Sequence, residues 1–135
     1  MSIDVYKITD NSLNHYEALV GTTRVPPIWG KDLTAKEYSR LIYPRYERLG
    51  DVLTPGEVGC TLSHLDAYGA IVASGRPALI LEADIELTQI LLEAVTSYVN
   101  FWPVDFLHAG ASGWNGGIQP AYGRPLGSGL FVGYP

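Results

Sequence analysis

Runs of apolar residues in the sequence predict three β-strands. Ile3-Asp-Val-Tyr-Lys-Ile8 alternates apolar and polar positions, which is the period of a strand. Pro77-Ala-Leu-Ile-Leu-Glu82 is a short apolar run bounded by Gly and Pro on one side and by acids on the other, as in a buried strand. Val104–His108 predicts a third strand near the end of the chain.

Two helices are predicted to begin with a capping box, in which a Thr and a Glu three residues later bind each other's backbone amides. The first begins after Thr34 and runs towards Arg48, with Pro44 expected to kink or end it. The second begins after Thr54 and ends at Gly75. Its predicted apolar stripe consists of Val58, Leu62, Leu65, Ile71 and Val72. Shorter helices are predicted over Leu13–Val20 and Thr88–Tyr98, while Val25–Gly30 is expected to be a loop.

The order of these elements predicts a layered α/β fold with a mostly parallel sheet. A chain of 135 residues suits one domain, residues 1–135. Residues 110–135 hold eight of the fifteen glycines and three prolines, and show no helical period. We therefore expect an irregular Gly/Pro-rich tail there.

Charge and cysteine content exclude several classes of function. A net charge of −5 argues against a nucleic-acid partner, which requires a basic face. Cys60 is the only cysteine, so we expect neither an intramolecular disulfide nor a cysteine-based zinc site. The sequence shows no signal peptide and no apolar run of membrane-spanning length. We expect a cytoplasmic protein without a transmembrane segment.

The apolar strand before Glu82 and Asp84 suggests a binding site. Ligands of open α/β sheets bind at the carboxyl ends of the strands, and alternation would point both carboxylates to the same side. There they could bind a divalent cation that neutralises a diphosphate. The simpler interpretation is that two acids after a strand solvate a turn or cap the Thr88 helix, and for the motif alone we prefer it.

The helix motif after Thr54 is less informative when taken alone. Ser63 and His64 are adjacent and point about 100° apart on a helix, so they do not form a nucleophile–base pair. A histidine here is more often structural than catalytic. Gly56 and Gly59 would permit a close backbone approach, or are simply tolerated near a helix start.

Taken together, Leu53-Thr-Pro-Gly-Glu-Val-Gly-Cys-Thr-Leu-Ser-His64 and Ala78-Leu-Ile-Leu-Glu-Ala-Asp-Ile85 resemble the central block of glycosyltransferase family 25. That family includes bacterial lipooligosaccharide galactosyltransferases. The resemblance implies a GT-A-like (Rossmann-like) three-layer fold and a UDP-sugar donor, often UDP-galactose. It also implies a divalent metal (Mn²⁺ or Mg²⁺) and a saccharide or glycolipid acceptor in lipopolysaccharide synthesis. Such an acceptor would bring the protein into peripheral contact with the inner face of the membrane.

The resemblance also assigns residues to the site. Glu82 and Asp84 match the outer acids of the family's acidic triplet and are the expected metal ligands, Asp84 being the better candidate. The residues that match the family's helix motif, and for which a donor-site or supporting role is expected, are Gly56, Glu57, Gly59, Ser63 and His64. The general base is unassigned. Asp105 and His108 are candidates, although His108 is equally suited to be a buried strand histidine.

The chain departs from the family pattern in three places. Ala83 replaces the middle acid of the triplet, and Asp10-Asn11 and His15 occupy the region where the family has an asparagine and an arginine. The chain also ends at Pro135, where family domains continue. These departures favour an alternative: a truncated or degenerate member that binds sugar nucleotide or a partner protein without turnover. An incomplete sheet would favour self-association through its edge. A third possibility is an α/β domain with an unrelated ligand.

Overall fold

The structure is a computed structural model, which describes residues 2–101 and the backbone of residues 123–125 and 131–133. The chain forms two compact units, residues 1–89 and residues 90–135, which are described separately. The predicted strand over Val104–His108, which carries both candidates for the general base, lies outside the described residues.

A parallel sheet forms the centre of the first unit. Its strands are β1 (Asp4–Ile8), β2 (Thr23–Val25) and β3 (Ala78–Leu81), in the order β2-β1-β3. In β1 the four residues from Val5 to Ile8 are all buried, as expected for the central strand of a covered sheet. The predicted α/β fold with a parallel sheet is confirmed. In β3 only Leu81 is fully buried, so this strand is less covered than we expected.

Strand β2 was not predicted from the sequence. It is three residues long, and Pro26 and Pro27 follow directly. Such a strand has too few positions for an alternating pattern to be recognised, and two prolines that cannot donate backbone hydrogen bonds give the segment the composition of a loop. Hydrogen bonding to β1 makes this segment a strand, although its own sequence does not indicate one.

Helices α1 (His15–Leu19), α2 (Ala35–Leu49) and α3 (Pro55–Ser74) begin with capping boxes at Asn14, Thr34 and Thr54. The predicted bounds of α3 are confirmed, and Gly75 ends it in the left-handed conformation at φ 67°. Pro44 does not end α2, which continues to Leu49. No residue of α2 is buried, so water can satisfy the carbonyl whose helical hydrogen bond the proline removes.

The apolar stripe predicted for α3 is wrong in part. Leu65 is 55% exposed and Val72 is 80% exposed. The buried residues of the helix are Val58, Gly59, Ser63 and Ala67. Three of these are small residues spaced four apart, and α3 packs against β1 and β2. A face of small residues lets the helix backbone approach its neighbours closely, so it is buried in place of Leu65 and Val72. The core cluster of buried residues is Tyr6, Ile8, Val25 and Ala67.

Helix α4 (Gln89–Phe101), of which all but the first residue belongs to the second unit, confirms the helix predicted after Thr88 and extends it by three residues. Within the Gly/Pro-rich tail, β4 (Gly123–Pro125) and β5 (Phe131–Gly133) pair in antiparallel fashion. In the part of the chain that the structure describes, no helix is both long enough and apolar enough to cross a bilayer.

Candidate functional site

Glu82 and Asp84 lie in a turn at the carboxyl end of β3. The strand ends at Leu81, and the backbone N–H of Ile85 donates to the carbonyl of Glu82 at 3.1 Å. Alternation along an extended chain therefore does not determine where the two carboxylates point, contrary to our expectation. Both side chains, and Ala83 between them, are exposed. The turn thus presents its acids to solvent at the edge of the sheet where α/β proteins bind ligands.

His64 of α3 lies beside this turn. Its Nε2 atom is 3.7 Å from Oε1 of Glu82, and the two side chains are 26% and 61% exposed. Its Nδ1 atom lies 2.9 Å from the carbonyl oxygen of Cys60. Because a carbonyl can only accept a hydrogen bond, Nδ1 carries a proton and Nε2 faces Glu82. The fold thus brings together two of the site residues that the resemblance indicated, one on the helix and one after the strand.

Cys60 is the third member of this group. Its Sγ atom, a ring nitrogen of His64 and a carboxylate oxygen of Glu82 all lie within 4.8 Å of one another. Burial raises the pKa of the Cys60 thiol, and the negative charge of Glu82 raises it further. Cys60 was not predicted to belong to the site. The spacing Cys60-x-x-x-His64 was the available signal, since residues four apart share a helix face.

Ser63 and Gly59 hold a loop against α3. The hydroxyl of Ser63 accepts a hydrogen bond from the backbone N–H of Ile28 at 2.8 Å and donates one to the carbonyl of Gly59 at 2.8 Å. A Cβ atom on Gly59 would lie 2.5 Å from the carbonyl oxygen of Ile28. Ser63 is buried and its hydroxyl is engaged within the protein, so its observed role is to fix the loop. A contact of Ser63 with a donor stays a prediction.

The same loop touches the first residue of α3. A Cβ atom on Gly30 would lie 1.6 Å from the carbonyl oxygen of Pro55, so only glycine permits this approach. The preceding Trp29 is 51% exposed, and the ammonium of Lys31 lies 5.7 Å from its ring centroid, within cation–π range. The loop therefore presents an aromatic ring to solvent from a well-fixed backbone.

The observed role of Glu57 is to cap α3. Its carboxylate accepts the backbone N–H of Thr54 at 2.7 Å, and its own N–H donates to the Thr54 hydroxyl at 3.3 Å. Gly56 is not in a close backbone approach, because a Cβ atom there would make only an ordinary van der Waals contact, with the Thr54 hydroxyl at 3.9 Å. These contacts do not place Glu57 or Gly56 beside the turn after β3, so their donor-site roles stay predictions.

A buried carboxylate anchors the segment that follows the acidic turn. Glu17 is fully buried, and its Oε1 atom accepts hydrogen bonds from Nζ of Lys7 at 2.8 Å and from the backbone N–H of Leu87 at 3.1 Å. Its Oε2 atom accepts the N–H of Asn14 at 2.9 Å. Burial acts to raise the pKa of Glu17, but the hydrogen bonds from Lys7, Leu87 and Asn14 outweigh it and hold the pKa below its ordinary value.

This buried group was not predicted from the sequence. The only local signal was the capping-box spacing of Asn14 and Glu17, which indicates a helix start and not a buried ion pair. Asp105 and His108 lie outside the described residues, so the choice of a general base stays a prediction.

Comparison with known proteins assigns the chain to a family. Residues 12–114 match the family model described as glycosyltransferase family 25 (LPS biosynthesis protein). The matched region includes α3, His64 and the acidic turn after β3. No match was found among curated proteins or among solved structures.

Proposed function

The chain belongs to glycosyltransferase family 25, and we propose that it transfers a hexose, with galactose the first candidate, from a UDP-sugar to a saccharide acceptor. The family match supports a glycosyltransferase of lipopolysaccharide biosynthesis. The acceptor we propose is a sugar of a growing lipopolysaccharide or lipooligosaccharide. An acceptor attached to lipid would bring the protein to the inner face of the membrane as a peripheral partner.

The observation that carries this proposal is the acidic turn at the carboxyl end of β3. Glu82 lies there within 3.7 Å of His64, and both residues fall in the region that matches the family. In open α/β sheets this edge binds nucleotides and their phosphates. An exposed pair of acids beside a histidine suits the polar, charged portion of a sugar nucleotide, and supports a GT-A-like donor site here.

The residues of the turn fit a divalent metal ion in their chemistry. Glu82 and Asp84 offer exposed carboxylate oxygens, which are the donors that Mn²⁺ and Mg²⁺ prefer. Asp84 is the better candidate, because Glu82 is already paired with His64. When bound, such an ion would neutralise the charge that develops on the leaving UDP.

The protein's own groups have separable tasks in this proposal. The hydrogen bond to the Cys60 carbonyl fixes the ring of His64, so that its Nε2 atom faces Glu82 at the acidic turn. The Glu17 carboxylate holds Leu87 and with it the segment after the turn. Deprotonation of the acceptor hydroxyl requires a base within hydrogen-bond reach, and Asp105 and His108 remain its candidates.

Binding of UDP in the presence of Mn²⁺, measured by calorimetry, tests the donor site. We expect Asp84→Asn to weaken UDP binding by about tenfold or more, which corresponds to about 1.4 kcal/mol. Glu86→Gln is the matched control, because Glu86 is an exposed acid two residues further along the same segment. Undetectable UDP binding by the unmodified chain, or equal binding by the Asp84 variant, would disprove the site assignment.

A second candidate function is sugar-nucleotide binding without turnover. Ala83 favours it, because an exposed methyl group stands where the family's triplet has an acid. Release of hexose from UDP-galactose, or its transfer to a saccharide, separates the two functions. Binding of UDP without either reaction supports the second candidate, and a gain of turnover in Ala83→Asp would identify the missing acid as the cause. Transfer by the unmodified chain supports the first.

A further inference from the structure

We propose that Cys60, His64 and Glu82 form a binding site for a divalent cation that prefers sulfur and nitrogen ligands, with Zn²⁺ as the leading candidate. This metal trio is different from the pair of carboxylates proposed for Mn²⁺ or Mg²⁺. Its three ligand atoms lie within 4.8 Å of one another. The inference concerns metal binding by the protein alone and does not depend on the donor being a sugar nucleotide.

The helix supplies two of the ligands from one face. Cys60 and His64 are four residues apart on α3, so their side chains project one above the other. The Sγ atom lies 3.7 Å from the ring nitrogen Nδ1. Because α3 is a regular helix of 20 residues with both ends capped, this spacing is built into the backbone.

The orientation of the histidine ring is the one that metal-ligating histidines adopt. A ligating histidine usually donates its other ring N–H to a carbonyl or carboxylate, which fixes the tautomer and leaves one nitrogen lone pair for the metal. Nδ1 of His64 makes this bond to the Cys60 carbonyl at 2.9 Å. Nε2 consequently faces the Glu82 carboxylate at 3.7 Å.

The distances match a tetrahedral ion after small side-chain movements. With Zn–S of about 2.3 Å and Zn–N and Zn–O of about 2.0–2.2 Å, the ligand atoms of a tetrahedral site lie roughly 3.3–3.7 Å apart. The separation of Nε2 and Oε1 is already 3.7 Å, and Sγ, a ring nitrogen and a carboxylate oxygen of the trio lie within 4.8 Å of one another. Three protein ligands leave a fourth position open, as in zinc sites that bind water or a substrate.

The chemistry of the donor set selects the metal. Thiolate and imidazole ligands favour Zn²⁺ and Co²⁺, whereas Mg²⁺ and Mn²⁺ favour sites made of oxygen. One cysteine is enough for a mixed site, so the low cysteine count does not stand against it. The alternative is that His64 and Glu82 form a surface ion pair beside an uninvolved thiol, and this alternative predicts no metal binding.

Co²⁺ titration of the untagged protein, followed by absorption spectroscopy, tests the proposal. Cys60 is the only cysteine, so a thiolate-to-cobalt charge-transfer band reports on this residue alone. We expect such a band to reach its full intensity at one Co²⁺ per chain and to disappear when Zn²⁺ displaces the cobalt. We also expect bound Zn²⁺ to slow alkylation of Cys60 by iodoacetamide, measured by mass spectrometry.

Three variants and two matched controls identify the ligands. Cys60→Ser should abolish the band, and His64→Gln and Glu82→Gln should weaken Zn²⁺ binding by about tenfold or more. His15→Gln and Glu86→Gln replace exposed residues of the same types outside the trio and should bind as the unmodified chain does. Circular dichroism verifies that each variant is folded.

The proposal is overturned if Co²⁺ gives no thiolate band, or if Zn²⁺ binds equally to all three ligand variants. Because Glu82 belongs both to the trio and to the proposed donor site, Zn²⁺ should also reduce Mn²⁺-dependent UDP binding. That consequence rests on the proposed function. Failure of UDP binding leaves the cobalt experiment unaffected, so the two proposals fail separately.

Discussion

Replacing Glu17 with glutamine tests the group that anchors the segment after the acidic turn. The carboxylate is fully buried and accepts three hydrogen bonds, from Lys7, Leu87 and Asn14. Glutamine has nearly the same shape but carries one acceptor oxygen and one amide group. If the oxygen faces Lys7 and Leu87, the amide N–H group opposes the N–H of Asn14. The lysine ammonium, whose side chain is 7% exposed, loses its counter-charge in either orientation.

The expected loss of unfolding free energy is about 3–5 kcal/mol, which is typical of a buried ion pair that loses one partner. Domains of this size are stable by about 5–15 kcal/mol, so the variant should lose a large part of its stability. Glu37→Gln is the matched control. Glu37 caps α2 in the same way but is exposed, so its replacement should cost only about 1 kcal/mol.

Urea denaturation followed by far-ultraviolet circular dichroism measures both losses. The double variant Lys7→Met, Glu17→Gln removes the unpaired ammonium as well, so it should be more stable than Glu17→Gln alone. If Glu17→Gln does not fold, the double variant should still fold, because it no longer buries an unpaired ammonium. The reasoning is refuted if Glu17→Gln loses no more stability than Glu37→Gln.

The pH dependence provides a second measure of the same pair. The pKa of Glu17 lies below its ordinary value of 4.5 in the folded protein. A depressed carboxyl pKa contributes stability that is present in full above the unfolded value and is lost as the pH falls through the folded pKa. The stability difference between the unmodified chain and Glu17→Gln should therefore be constant above pH 4.5 and shrink below it. A difference that stays constant into the acid range would contradict the assigned ionisation.

Two further substitutions test the contact between α3 and its loop, both by urea denaturation. Gly59→Ala should destabilise the fold by about 1–3 kcal/mol, because the new methyl group meets the backbone of Ile28. Gly69 lies in open space on the same helix, so Gly69→Ala should stabilise the fold by up to about 1 kcal/mol. Equal effects of the two would contradict the close approach. Ser63→Ala should cost about 1–3 kcal/mol, because it leaves the half-buried Ile28 N–H without its acceptor. Ser74→Ala at the exposed end of α3 should change stability by less than about 1 kcal/mol.

The parts of the fold that could be predicted are those with local causes. The start and end of α3 follow from Thr54, Pro55, Glu57 and Gly75, whose side chains and backbone act within a few residues of themselves. The central strand β1 follows from alternation within one short run. The resemblance to family 25 also rested on contiguous segments, Leu53–His64 and Ala78–Ile85, and the match over residues 12–114 confirms it.

The parts that could not be predicted depend on residues far apart in the sequence. Leu65 and Val72 were expected in the core from their spacing, yet α3 buries Gly59, Ser63 and Ala67. A helical period identifies a stripe of apolar residues but not which face allows the closest approach of a neighbouring backbone. Likewise β2 exists because β1 offers it a hydrogen-bonding edge, which three residues before two prolines do not reveal.

The candidate site, too, could be predicted only in part from the sequence. The order of residues along the chain was sufficient to indicate that Glu82 and Asp84 follow a strand and that His64 lies on a helix, because periodicity and capping are local properties. The fold determines that His64 meets Glu82 and Cys60, and that a turn directs the two acids. Contacts between separate elements arise from packing, in which a shift of an ångström decides whether side chains meet, and no local pattern encodes that distance.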